Sequence, residues 1–251
     1  MAGAWGRLIG VSLGPGDPGW ITRRAWAVLQ GPARWAYPVR AAEERSYALE
    51  IAERGGLAVP DDAVPLVFPM TRDPAALAEG WARAAAAVAA MLREGRDVAF
   101  LVEGDASTYA TFGHLARAVR AEAPCVEVET IPGVASFLAA PARVGWPLAS
   151  QDEAVAVLPG GYSVATVERL LPEVETLVLL KVKPLLEPLL DLLEARGLLA
   201  SSAFVERAGT PQERVVTDLA GLRGAPVHYL SLLLVRNPRP DGPGREAGGA
   251  A

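Results

Sequence analysis

The sequence predicts an α/β protein made of two α/β domains, and three observations carry that expectation. Short apolar runs alternate with longer amphipathic stretches, the pattern of strands separated by crossover helices. Tight turns rich in glycine and proline fall where an apolar run gives way to helical spacing. The alternation then restarts after Ala121–Pro124. Residues 1–122 are therefore expected to form one domain and 123–238 a second, with mostly parallel strands. Residues 239–251, rich in glycine, proline and alanine, read as a disordered tail.

In chain order, Leu8–Leu13 reads as a buried strand and Gly14–Pro18 as a turn, with helical spacing from Ile21 to Leu29. Trp35–Val39 is a second strand, Glu43–Arg54 a second helix and Val64–Phe68 a third strand. Pro74–Arg93 is the clearest helix, because its apolar positions keep helical spacing and Asp73 can cap it ahead of Pro74. Val98–Val102 is a fourth strand, followed by a turn at Glu103–Thr108 and a helix to about Val119. Period-two alternation marks Val126–Ile131 as a strand, Pro132-Gly133 ends it, and Val134–Val144 is helical. Further strands are expected at Ala154–Leu158, Leu177–Val182, Ala203–Glu206 and His228–Val235, and helices at Val164–Leu171 and Leu185–Arg196.

Composition narrows the function classes. Twenty-four Lys and Arg against 29 Asp and Glu leave a formal charge of −5, the wrong sign for a general nucleic-acid binder. An apolar share of 51% with 21% charged residues suits a packed core. The single cysteine, Cys125, forbids an intrachain disulfide and points to a reducing cytoplasm. His114 and His228 lie far apart and no Cys/His spacing resembles a metal site, so no protein-held metal is expected. Met1–Arg7 lacks an apolar core, so no secretory leader is expected. No apolar run reaches the ~20 residues of a membrane span, so no membrane partner is expected either.

In an open α/β sheet, ligands sit at loops beyond the carboxyl ends of strands. The first such loop, Gly14-Pro15-Gly16-Asp17-Pro18-Gly19, matches G-x-G-x-x-G in the strand-to-helix context of a dinucleotide site. Two prolines remove amide donors that a pyrophosphate would need, and Asp17 adds negative charge. Arg40 stands where an acidic residue would meet a ribose, which leaves an NADP reading open but disfavoured. Read alone, the loop is equally a rigid turn with Asp17 capping the next helix. The loop from Glu103 to Tyr109 offers a small residue followed by a carboxylate at a strand end, or simply a helix start capped by Asp105 or Ser107. Ile131–Ser136 is a tight strand-to-helix turn. Glu206–Arg214 reads, alone, as a solvated charged turn.

Taken in order and spacing, these loops resemble the tetrapyrrole (corrin/porphyrin) methyltransferase family, whose members use S-adenosylmethionine. The resemblance rests on Gly10–Pro18, Glu103–Phe112, Ile131–Pro147 and Glu206–Val215, and spans about Leu8 to Val235. Within the family, the EGD loop closed by Tyr109-Ala110-Thr111-Phe112, Leu180-Lys181-Val182 and Tyr229–Val235 look like the precorrin-2 or cobalt-factor II carbon-20 branch, as do Tyr37-Pro38-Val39 and Ser46–Ala52. There are two departures. Ser12 stands where glycine is frequent, and Ala106 where proline is usual.

The resemblance implies two α/β domains with S-adenosylmethionine in a cleft between them, a homodimer, and methyl transfer to a tetrapyrrole in cobalamin biosynthesis. It implies that Pro15, Glu103, Gly104, Asp105, Thr108, Tyr109, Ala135, Ser136, Leu180, Lys181, Ala208 and Gly209 bind the cofactor. Gly14, Gly16 and Asp17 are expected to face the substrate. A polycarboxylate macrocycle, metal-free or cobalt-bearing, needs local positive charge on an acidic protein, for which Arg40, Arg45, Arg143, Arg207 and Arg214 are the candidates. Asp105, the carboxylate in the most confined glycine loop, is expected either to take the proton from the methylated carbon or only to hold the cofactor. The alternatives are methylation at another macrocycle carbon and, in a different class, a nucleotide-responsive binding module.

Overall fold

The computed structural model describes residues 4–41, 44–68, 71 and 73–238. The expected tail at 239–251 and Glu43 lie outside them. The chain forms two compact units, Met1–Ala135 and Ser136–Ala251.

In the first unit, strand β1 (Leu8–Ser12) leads through helix α1 (Arg23–Leu29) to β2 (Arg34–Val39), and α2 (Tyr47–Arg54) leads to β3 (Val64–Val67). Helix α3 (Pro74–Arg93) precedes β4 (Val98–Val102), and α4 (Phe112–Glu122) precedes β5 (Val128–Ile131). The strands form one parallel sheet in the order β3-β2-β4-β1-β5. Strand alternation decides which helices cover which face. Leu8, Val98, Phe100 and Val102 pack with α3 and α4, whereas Ile9, Val11, Leu13, Ala99 and Leu101 pack with α1 and α2. Gly10 is required on the first face, because a Cβ there would meet the Phe112 ring at 2.5 Å.

The helix starts follow the sequence. Thr22, Ser46 and Asp73 each accept a hydrogen bond from a first-turn amide, and Pro74 occupies the first turn of α3. Helix α3 is 20 residues long and, by length and composition, apolar enough to cross a membrane. Its Ala84, Ala85, Val88, Met91 and Leu92 are buried in the core of this unit, which is how a core helix comes to be so apolar.

In the second unit, α5 (Ser136–Val144) is followed by β6 (Val155–Leu158), α6 (Val164–Leu170), β7 (Thr176–Leu180), α7 (Leu186–Ala195), β8 (Ser202–Glu206), β9 (Arg214–Val216) and β10 (Ser231–Arg236). The sheet order is β6-β7-β10-β8-β9. Only β6 and β7 pair in parallel; β10 runs antiparallel to both β7 and β8, and β9 antiparallel to β8. A core from Val167 and Leu189 to Phe204 and Leu233 lies under α6 and α7, and a smaller cluster of Ala140, Val178, Val205 and Leu234 involves α5.

Three expectations need correction. The expectation of mostly parallel strands holds in the first unit and fails in the second, where β10 enters between β7 and β8 from the opposite direction. The charged stretch after Glu206 is not merely a turn, since Arg214–Val216 returns as strand β9. The 122/123 boundary falls too early: β5 pairs with β1, so the first unit runs through Ala135.

Candidate active site

The first sheet has one place where the chain leaves neighbouring strands in opposite directions. From β1 it crosses to β2, beyond β4; from β4 it crosses to β5, beyond β1. Right-handed crossovers put the two connections on opposite faces, and their opening loops separate over the carboxyl ends of β1 and β4. The Gly14–Gly19 and Glu103–Tyr109 loops occupy that point.

Backbone bonds tie the two loops together. Gly14 N donates to Gly104 O at 3.1 Å, and Gly104 N donates to Gly14 O at 2.7 Å. Both glycines have left-handed φ, 75° and 73°, a conformation that costs other residues energy. A Cβ at Gly104 would meet nothing within 4 Å, so the backbone is open to a ligand there. The first loop is braced from α2, where the Tyr47 hydroxyl donates to Pro15 O at 2.8 Å and the Arg54 guanidinium donates to Gly16 O. Asp17 accepts from Gly19 N at 2.8 Å and caps a three-residue 3₁₀ turn, Pro18–Trp20. The third glycine, Gly19, lies inside that turn and α1 starts only at Arg23, so the glycines do not present the N-terminus of α1 as a dinucleotide site does.

Asp105 anchors the second loop. Its Oδ1 accepts from Ser107 N at 2.9 Å, from Thr108 Oγ1 at 2.9 Å and from the Ser107 hydroxyl; its Oδ2 accepts from Gly133 N at 2.8 Å. Only 7% of the residue is exposed. Burial pushes its carboxyl up, but the Ser107 hydroxyl, the Gly133 amide, the Thr108 hydroxyl and the Ser107 amide together hold it below the usual carboxylate value. Gly133 must be small: a Cβ would sit 2.4 Å from Ser12 Cβ and 2.9 Å from Gly104 O.

In the second unit the predicted residues gather at one end of the sheet, where β7 and β8 finish and β10 begins. Lys181 and Arg207 follow those strands, both with left-handed φ, 56° and 51°. Their amides donate to Ser231 O at 2.7 Å and Leu230 O at 2.8 Å. Lys181 Nζ lies 5.5 Å from the Tyr229 ring centroid, and the Tyr162 hydroxyl donates to Leu180 O at 3.1 Å. Ala208 is buried, and Gly209 N donates to Glu213 Oε2 at 2.6 Å.

The model of the Tetrapyrrole (Corrin/Porphyrin) Methylases matches residues 7–222. The chain belongs to this family. It is 35% identical to a precorrin-2 C(20)-methyltransferase of Sinorhizobium sp over 239 residues, covering 92% of this chain and 95% of that protein. It is 32% identical to a cobalt-precorrin-2 C(20)-methyltransferase of Salmonella typhimurium (strain LT2) over 232 residues, covering 92% and 96%. Among solved structures, a uroporphyrin-III C-methyl transferase from Thermus thermophilus, complexed with S-adenyl homocysteine, superposes with a TM-score of 0.64 at 26% identity, covering 92% of each chain.

For this methylase, the structure brings Gly14, Pro15, Gly16, Asp17, Glu103, Gly104, Asp105, Thr108 and Tyr109 to the two loops over β1 and β4. Tyr109 is 57% exposed with a left-handed φ of 52°, and Glu103 is also exposed. Ala135 is buried at the end of the first unit, and Ser136 opens α5 of the second. The arginines divide. Arg45 pairs with Glu50 and Glu53, Arg143 with Glu213 at 2.7 Å, and Arg214 with Glu206 at 3.4 Å while lying over Phe204. Arg207 has a buried Nε without a partner, and Arg40 is exposed with no ion pair among the described residues. Sequence reasoning missed Tyr47, Ser107 and Gly133 as braces. It also missed a groove of about 810 Å³ along α4 that shares Ser107 and Tyr109 with the loop and is lined by His114, Arg117 and Arg120. The spacing of three residues between those last three was the available signal, since it puts them on one helix face.

Proposed function

We propose that this chain transfers the methyl group of S-adenosylmethionine to carbon 20 of precorrin-2 or cobalt-factor II, a step of cobalamin biosynthesis. The observation that carries the reading is the crossover point of the first sheet. There an open glycine backbone at Gly104 lies beside loops locked by Asp105, the chemistry needed to seat a small polar ligand at a fixed height. The names of relatives spanning nearly the whole chain supply the substrate.

Gly104, Thr108 and Pro15 are proposed to hold the amino-acid and sugar portions of the donor, with Glu103, Tyr109, Ala135 and Ser136 beside them. Leu180, Lys181, Ala208 and Gly209 are proposed to serve the adenine. Gly14, Gly16 and Asp17 line the substrate side. A sulfonium methyl is already activated toward a carbon nucleophile, so the protein's task is alignment and exclusion of water, worth about 7–11 kcal/mol of the barrier. Asp105 is assigned to positioning, because a carboxylate that already accepts four hydrogen bonds and titrates low is a poor proton acceptor. Arg40 and Arg207 are the stronger choices for substrate carboxylates, since Arg45, Arg143 and Arg214 are already paired to acids of their own units.

The same reading places the enzyme in the cytoplasm as a homodimer; the exposed, unpaired Cys125 thiol agrees with a reducing compartment. The test is incubation of purified protein with methyl-labelled S-adenosylmethionine and each tetrapyrrole, with sedimentation to give the assembly state. Transfer to either macrocycle supports the proposal and identifies the metal state. Donor binding without transfer favours a binding module, and the absence of both binding and transfer overturns the assignment.

A further inference from the structure

Ser12, on β1, meets the backbone of the Asp105 loop across the ends of three strands. Ser12 is completely buried at the end of β1. Its hydroxyl donates to Ile131 O at 2.6 Å, at the end of β5, and accepts from Ala106 N at 2.8 Å, next to Asp105. A glycine at position 12 would have no hydroxyl to accept that bond, and a proline at 106 would have no amide to donate it. Residues 12 and 106 are therefore coupled through one hydrogen bond.

We propose that Ser12 is a positioning residue for the methyl donor. Its hydroxyl stiffens the Asp105 loop by tying it to the ends of β1 and β5. Two clamps then act on one loop. Asp105 Oδ2 holds Gly133 at 2.8 Å, and Ser12 Oγ holds Ala106 and Ile131. Ser12 Cβ also fills the space against Gly133, where a Cβ would approach to 2.4 Å. Removing the hydroxyl alone orphans a buried amide and a buried carbonyl end, so the loop relaxes to recover partners and carries Gly104 and Thr108 with it. Ala106→Pro on the native background is harmful for the mirror reason, since Ser12 loses its donor. Combined with loss of the hydroxyl, the same proline is beneficial.

The inference rests on the reading of this loop as the donor site, and the test separates the two. Wild type, Ser12→Ala, Ala106→Pro and the double variant are compared by urea unfolding, by amide exchange of the Glu103–Thr108 segment and by calorimetric titration with S-adenosylhomocysteine where all are folded. Ser12→Ala is expected to speed exchange and weaken the ligand about tenfold, and the double variant to return to within about twofold of wild type. An unchanged dissociation constant in folded Ser12→Ala overturns the positioning role, and additive losses in the double variant overturn the pairing. If wild type itself does not bind the ligand, the donor-site reading fails and the positioning role with it. The unfolding cycle still decides the pairing, since non-additivity supports it and additivity refutes it. Ser12→Gly substitutes for Ser12→Ala if the latter does not fold.

Discussion

Replacing Asp105 by asparagine is the smallest change that tests how the donor loop is held. The side chain keeps its size and can keep one oxygen toward Ser107 and Thr108. The other atom becomes an amide whose hydrogens face the Gly133 N–H, now 2.8 Å from the native Oδ2. One charge-assisted bond is lost and two donors are set against each other, while the remaining three bonds lose their ionic character. In a site this closed to water, the sum is about 2–4 kcal/mol. For a protein of this size, that corresponds to a fall in Tm of roughly 5–15 °C. Urea unfolding of Asp105→Asn, read beside wild type at neutral pH, measures it directly. The native carboxyl titrates below the usual value, so its stabilisation is complete above about pH 4, where the unfolded group titrates, and is lost as pH falls through the lower folded value. The deficit of the variant must therefore shrink below about pH 4. A variant within about 0.5 kcal/mol of wild type would refute the clamp. So would a deficit that persists undiminished at low pH. A variant that binds S-adenosylhomocysteine normally but turns over nothing would return Asp105 to the role of proton acceptor.

Gly133→Ala should be among the most damaging single changes in the first unit, because the new Cβ meets Ser12 Cβ and Gly104 O; soluble yield and Tm are the measures, and a Tm within about 2 °C of wild type would contradict it. Burial pushes the Tyr162 phenol well above its ordinary value, so an alkaline absorbance titration should show a late tyrosine phase, and Tyr162→Phe should remove it. Arg40→Ala should raise KM for the tetrapyrrole about fivefold or more, with donor affinity unchanged, whereas Arg143→Ala should act mainly on stability by freeing Glu213, whose other oxygen holds Gly209. Raising ionic strength should weaken the tetrapyrrole more than S-adenosylhomocysteine, and equal or flat responses would remove arginine recognition from the mechanism.

How far the sequence could be read differs between the units. In the first, β1 and β4 are buried on both faces, so their runs are apolar throughout, and α3 is long enough to show its period; Pro74–Arg93 and Val98–Val102 fall where they were expected. In the second, β9 is only Arg214–Val216, edge-placed and half-exposed, too short for a period-two signal to stand out from a charged turn. Strand direction was also illegible, because a run such as Ser231–Arg236 reads identically whichever way it enters a sheet. The site was legible as loops but not as bonds. The sequence marks Asp105 and Gly133 as unusual, yet nothing in it says that one accepts from the other, or that Ser12 and Ala106 meet although they lie 94 positions apart. Those pairings depend on β1 lying between β4 and β5, which is a property of the topology.

The central claim is that the loops over β1 and β4 seat the methyl donor. A crystal structure with S-adenosylhomocysteine tests it most directly. The account predicts that the amino-acid and sugar portions of the ligand lie against Gly104 and within hydrogen-bond reach of the Thr108 hydroxyl, with the Asp105–Gly133 bond intact. Ligand density in the groove along α4 instead, or none at Gly104 in crystals soaked to saturation, would contradict it.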